Sequence, residues 1–165
     1  MIKVRQAEPD DGRVLGEIHA AAWEAAYAPF FAPDFAARGV RSRRTRWHDR
    51  VAGGTGTILL AALDDRPVAL SLCLPSPARP GLAEICSFYS HPDAWGSGVA
   101  AVLMTQTLNR LRDEGFTRVH LWTLRDTPQS RRFYAKSGFA ETGAARAFDF
   151  GEGNLLDQIE YERAC

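Results

Sequence analysis

The sequence predicts an α+β fold, a mixed and mostly antiparallel central sheet flanked by helices. Three observations point there. Two apolar runs, 57–63 and 68–74, are joined by Asp64-Asp65-Arg66-Pro67, which is too short for a crossover, so the runs must pair antiparallel. One strand–helix–strand unit follows, with strands at 83–90 and 118–124 around a helix that opens near Gly96 and Gly98 and ends at Gly115. A closing pair, Phe148-Asp149-Phe150 and 155–161, flanks a turn bounded by Gly151 and Gly153.

The remaining elements follow from local chemistry. Residues 2–5 read as a first strand. Pro9 suits a helix first turn, and Asp10 and Asp11 sit well near the positive end of the helix dipole. Val14, Ile18, Ala21 or Ala22, and Ala25 then recur at helical spacing. A second helix is expected over 40–51, carrying Arg41, Arg43, Arg44, Arg46 and Arg50 as a solvated face over Trp47 and Val51, with contact to a phosphate or an acidic substrate as the alternative. Gly53, Gly54 and Gly56 break it, and Pro75, Pro77, Pro80 and Gly81 mark a surface loop. The central helix has an apolar stripe at Ala100, Met104, Leu108 and Leu111. Thr127 and Pro128 start a short helix that stops at Gly138.

The chain has 165 residues, the size of one domain spanning 1–165, and 45% of them are apolar. Twenty cations balance twenty anions, which argues against a dedicated nucleic-acid binder. Cys73, Cys86 and Cys165 are odd in number and widely spaced, so neither a disulfide framework nor a zinc site is expected, and no other metal site is. The polar N-terminus is unlike a signal peptide, and no apolar run reaches the roughly 20 residues of a membrane span. A cytoplasmic protein without a membrane partner is expected.

Chemistry concentrates in Trp95-Gly96-Ser97-Gly98-Val99-Ala100-Ala101, between a strand and a helix. Glycines let a backbone approach a ligand, and the first helical turn offers unpaired N–H groups and a partial positive charge. The bland alternative is a helix start with two permissive glycines. The same letters satisfy the dinucleotide fingerprint G-x-G-x-x-A, but only 67 residues follow Gly98 in the 165-residue chain, too few for a doubly wound domain. The full stretch Phe88-Tyr89-Ser90-His91-Pro92-Asp93-Ala94-Trp95-Gly96-Ser97-Gly98-Val99-Ala100, followed by Phe133-Tyr134-Ala135-Lys136-Ser137-Gly138-Phe139, resembles the GCN5-related N-acetyltransferase (GNAT) family. Ile2-Lys3-Val4-Arg5-Gln6-Ala7 looks like that family's first strand, and Ala22-Trp23-Glu24-Ala25-Ala26-Tyr27 is similar to its W-x-x-A-Y step. Trp95, Thr127 and Ser130 depart from the family's Arg/Gln, Asn and Ala.

The resemblance implies a GNAT acyl-CoA N-acyltransferase fold and transfer of an acetyl group from acetyl-CoA to a primary amine by direct attack on the thioester. It implies that the backbone of Phe88, Tyr89 and Ser90 pairs with the pantetheine arm. The N–H groups of Gly96, Ser97, Gly98, Val99, Ala100 and Ala101 would hold the pyrophosphate, with Thr127 as a hydroxyl contact or only a helix cap. Tyr134 would protonate the leaving thiolate, or serve as a core aromatic beside Phe133. Glu84 would be the base, or a surface carboxylate at a strand start. His91 and His120 are weaker candidates. Trp23, Tyr27, Phe30, Phe31 and Phe35 either pack the helices onto the sheet or line the acceptor site. The acceptor would be a small-molecule or peptide amine. A non-catalytic acyl-CoA-binding or sensing module is the alternative. A final strand, 155–161, would be able to pair across a homodimer if exposed.

Overall fold

The computed structural model describes residues 1–151 and 153–165. Strand β1 (Ile2–Gln6) leads through a short 3₁₀ turn into helix α1 (Gly12–Ala26), followed by α2 (Pro33–Thr45) and α3 (Trp47–Ala52). Then come β2 (Thr57–Leu63), β3 (Arg66–Pro75), β4 (Leu82–Ser90), α4 (Val99–Asp113), β5 (Arg118–Leu124), α5 (Pro128–Lys136), β6 (Ala140–Asp149) and β7 (Leu155–Ala164). The strands form one seven-stranded sheet in the order β1-β2-β3-β4-β5-β7-β6. The observed β1–β2, β2–β3, β5–β7 and β6–β7 ladders are antiparallel, while β4–β5 is parallel over only Leu82–Glu84 and Arg118–His120.

The β2–β3 hairpin shows why the fold is local at this point. Asp64 and Asp65 both adopt left-handed backbone angles, φ 49° and 66°. A two-residue turn with both centres left-handed matches the right-handed twist of its strands, and Asp tolerates that region better than most residues.

The residues cluster into two units, neither continuous in sequence: 1–74 with 87–107, and 75–86 with 108–165. In the first, Leu15, Ile18 and Trp47 of the N-terminal helices pack on Ile58, Leu60, Leu70 and Leu72. On the other side of these strands, Leu59, Ala61 and Ala69 meet Val99 and Leu103 of α4. In the second unit, Val119, Leu121 and Leu124 of β5 are buried, as are Phe139 and, on β7, Ile159 and Tyr161.

Several boundaries differ from expectation. The single helix expected over 40–51 is two, α2 and α3, with Arg46 between them. Ala25 is exposed, and Leu15 and Trp23 carry the buried face of α1 instead. The α4 stripe includes Val99 and Leu103. The proline loop is not all surface, because Ser76 is buried and its N–H donates to Leu82 O. Strand β6 begins at Ala140, well before Phe148, and all ten of its residues are exposed. Consequently β7 is an inner strand between β5 and β6, and 155–161 is not the exposed strand that a dimer would need. The turn expected between Gly151 and Gly153 includes Glu152, which lies outside the described residues.

Candidate active site

The glycine turn lies wholly in the first unit. Gly96 and Gly98 have φ of 81° and 86°, angles that favour glycine. A Cβ built on either would meet no atom within 4 Å, so the space beside this backbone is open. The first four N–H groups of a helix have no partner within it. In α4, Val99 N–H is taken by Ser97 Oγ at 3.3 Å and Val102 N–H by Gly98 O at 3.3 Å. That leaves Ala100 and Ala101 as donors at the positive end of a 15-residue helix with no acid in its first turn. This geometry fits a phosphate without a lysine.

Trp95 departs from a cation in a defined way. Its indole N–H donates to Ser90 O at 3.0 Å, tying the end of β4 to the glycine turn. The Ser90 carbonyl is therefore engaged within the protein. Phe88 and Tyr89 diverge: Phe88 packs on the α4 side of the sheet, and the Tyr89 ring stacks on His19 at 4.2 Å. His91 is a loop residue whose Nδ1 accepts from Asp93 N–H at 3.1 Å.

The second unit holds the proposed proton-transfer residues. Glu84 and His120 are register partners on β4 and β5. Glu84 Oε1 lies 3.3 Å from His120 Nε2, and Ser76 Oγ lies 3.0 Å from the same nitrogen. His120 Nδ1 lies 2.7 Å from Glu160 Oε2. Glu160 Oε1 in turn accepts from the Thr142 hydroxyl at 2.6 Å. Opposite a carboxylate, Nδ1 must carry a proton. Nε2 then accepts from Ser76 when the ring is neutral, or donates to Ser76 and Glu84 when it is charged. His120 is buried, and the Glu84 side chain retains 30% exposure, so this carboxylate joins a buried histidine to solvent. The Cys86 thiol sits 3.5 Å from Glu84 Oε2.

Sequence reasoning ranked His120 low and missed Ser76 and Glu160. A histidine inside the apolar run Val119-His120-Leu121 was the only available signal. Its partners come from β7 and the β3–β4 connection, whose alignment only the ladder reveals.

Tyr134 is half-buried on α5, with its ring centroid 6.0 Å from that of Phe139 and 6.1 Å from that of Tyr161. The helix is braced by Arg131, which pairs with Glu141 at 2.7 Å, and Tyr161 donates to the same carboxylate at 3.1 Å. Thr127 occupies the position before α5 without capping it, since its hydroxyl donates to Leu124 O at 2.8 Å. Trp23 and Phe31 are buried and stacked at 5.5 Å, whereas Phe30 is 37% exposed. Among the described residues no helix is long and apolar enough to cross a membrane.

Comparisons with known proteins converge on one family. An N-acetyltransferase of Mycobacterium tuberculosis, itself described as uncharacterized, is 30% identical over 151 residues, covering 90% of this chain and 95% of its own length. The PaiA N-acetyltransferase of Thermoplasma acidophilum, solved in complex with coenzyme A, shares the fold with a TM-score of 0.75 at 17% identity, covering 100% of this chain and 99% of that one. The yncA structure from Salmonella typhimurium, solved with its cofactor acetyl-CoA, superposes with a TM-score of 0.69 at 18% identity over 99% of this chain and 93% of that one. The family model described as "Acetyltransferase (GNAT) family" matches residues 15–139, a span that contains both the glycine turn and Tyr134. With the sheet order, the glycine turn and these matches in agreement, the chain belongs to the GNAT family of N-acetyltransferases.

Proposed function

We propose that the protein transfers an acetyl group from acetyl-CoA to a primary amine by direct attack on the thioester. The observation that carries this reading is the glycine turn: two left-handed glycines with open space beside them, at the start of a helix whose Ala100 and Ala101 N–H groups remain as donors, in a chain of the GNAT family. Ala100 and Ala101 N–H groups hold the pyrophosphate, and the Phe88–Ser90 backbone runs along the pantetheine arm. The end of the β4–β5 ladder at Glu84 and His120 supports this, because an added strand needs a β4 edge beyond the ladder.

The amine must lose a proton before it can react. An alkylammonium with pKa about 10.4 is only about one part in a thousand neutral near pH 7.4, a handicap of about 4 kcal/mol. Glu84 takes that proton, and the neutral nitrogen attacks the thioester carbonyl carbon. The carbon–sulfur bond then breaks, the electron pair leaves on sulfur, the Tyr134 hydroxyl donates its proton to the thiolate, and the second proton shed by the acylated nitrogen returns through water to the phenolate, leaving a neutral amide. His120, held by Glu160, supports the charge changes at Glu84.

Replacing Gly98 with valine tests the reading. The side chain enters the space kept for the pyrophosphate, and the left-handed backbone adds about 1–3 kcal/mol of local strain. Calorimetry should show acetyl-CoA affinity at least about tenfold weaker in a variant whose melting curve confirms folding. Unchanged affinity would remove the pyrophosphate from this turn. An acceptor screen for CoA release separates the enzyme from a sensing module.

A further inference from the structure

The arginine run of α2 and α3 is not a uniformly solvated face. Arg43 is half-buried with its guanidinium 4.1 Å over the Trp23 ring, and it donates to Gly39 O at 3.1 Å. Among the described residues no carboxylate pairs with it. Burial, with Arg46 and Arg50 nearby, pulls its pKa down to about 10, while the phenols of Tyr89 and Tyr27 act in the opposite sense. Beside it lies a connected aromatic set: Trp23 against Tyr27 at 6.4 Å, Tyr27 against Tyr89 at 6.4 Å, and Tyr89 on His19 at 4.2 Å. Among the described residues, the three buried side-chain atoms without a hydrogen-bond partner all fall here: Arg43 Nε, Trp23 Nε1 and His19 Nε2. Native proteins rarely leave such groups unmatched, and their concentration marks a place built for something else. All these residues lie in one unit.

We propose that this patch binds the amine acceptor by an anionic group, a carboxylate that pairs with Arg43 across the Trp23, Tyr27 and Tyr89 rings. The inference rests on the acetyltransferase reading and narrows its acceptor class. Arg43 supplies the missing half of an ion pair whose other half arrives with the substrate. A guanidinium already held 4.1 Å over an indole and bonded to Gly39 O has lost most of its rotamer freedom, so little more is lost on pairing. Tyr89 links the patch to the chemistry, because its side chain stands in the patch while its backbone belongs to the β4 stretch assigned to pantetheine. A carboxylate is favoured over a phosphate because the one guanidinium of Arg43 balances a single negative charge, whereas a phosphate ester brings about −1.5 to −2 near pH 7.

The experiment compares matched acceptors with enzyme saturated in acetyl-CoA. Free amino acids are set against their C-terminal amides, and phosphate esters of amino alcohols against the parent amino alcohols. Calorimetry of acetyl-CoA on the same preparations tests the underlying acetyltransferase reading separately. The expected result is kcat/KM about tenfold to a hundredfold higher for free amino acids than for amides, the range of a charge-assisted hydrogen bond. Arg43→Met, which keeps the stem over Trp23, should bring that ratio to near one with acetyl-CoA affinity unchanged, and Arg43→Lys should restore part of it. A preference for phosphate esters alone would overturn the carboxylate assignment. Equal or better use of the amides, or no CoA release from any anionic acceptor while acetyl-CoA binds, would overturn the proposal. The unsubstituted enzyme decides these outcomes, so a poorly folding variant does not shield it.

Discussion

Glu84 illustrates how a candidate base acquires its setting. On sequence it is one acid ahead of a strand; in the structure it has a histidine partner at 3.3 Å and a thiol at 3.5 Å. A second carboxylate, Glu160, stands 2.7 Å from the other ring nitrogen of His120, so the ring is held between two acids. The two proton steps proposed for the reaction separate under substitution. Glu84→Gln should lower kcat by about 10²–10⁴-fold near neutral pH, with activity recovering as alkaline pH supplies neutral amine. Tyr134→Phe removes a proton donor and not a base, and a thiolate is already a fair leaving group. Its kcat should fall by no more than about 10²-fold, without the alkaline recovery. Rate profiles of both variants from pH 6 to pH 10 make the comparison. Parallel profiles would mean that the two residues do not divide the work in this way. Thr127 shows the limit of reading a role from position alone, since its hydroxyl turns back to Leu124 O.

Elements set by neighbouring residues were legible, and those set by partners were not. The β2–β3 hairpin follows from two apolar runs and a two-aspartate turn, all within 57–74. The α4 start follows from its glycines. The α2–α3 break at Arg46 has no proline or glycine to announce it, and it depends on Trp47 turning inward to donate its indole N–H to His19 Nδ1 at 3.0 Å. Strand β6 was largely invisible because an all-exposed strand shows no alternation of apolar and polar residues; pairing with β7 alone defines it. The placement of β7 inside the sheet is topology, which one sequence does not display. Close approach of helices is equally silent until the backbone is seen. A Cβ at Gly16 of α1 would sit 2.0 Å from the Arg44 carbonyl oxygen of α2, a backbone atom that cannot swing aside. Gly16→Ala should therefore destabilise by about 1–3 kcal/mol through forced separation of the helices. Thermal denaturation should show this as a loss of roughly 2–10 °C. An unchanged melting temperature would mean that α2 yields freely. Because α2 carries Arg43, the same variant should also weaken discrimination between amino acids and their amides.

The response of folding to pH joins the N-terminal helices to the protein's overall stability. His19 is 3% exposed, and burial together with Arg43, Arg46 and Arg50 drives its pKa down to about 2. Its Nδ1 accepts the Trp47 indole N–H, so the folded protein needs this ring neutral. In the unfolded chain the same ring titrates near its ordinary value of about 6.5. Between pH about 6.5 and about 2 the unfolded state thus binds a proton that the folded state refuses, and stability rises with pH across that window. Seen from neutral pH, stability begins to fall as pH drops below about 6.5, approaching a slope of at most about 1.4 kcal/mol per pH unit. Carboxylates act later. Asp11, held low by the Arg5 guanidinium at 2.7 and 2.8 Å, loses its advantage only as pH falls below the ordinary carboxylate range of about 4. The two contributions occupy different pH ranges and can be told apart. Chemical denaturation of the parent and of His19→Gln at pH 7.5, 6, 5 and 4 should give a steep decline between pH 6 and pH 5 for the parent. The variant, less stable at pH 7.5, should have a nearly flat profile until carboxylates begin to protonate. Equal slopes for the two proteins between pH 6 and pH 5 would mean that His19 accepts a proton in the folded state, and that the arginine-rich patch around it is open enough to water to stabilise a further charge.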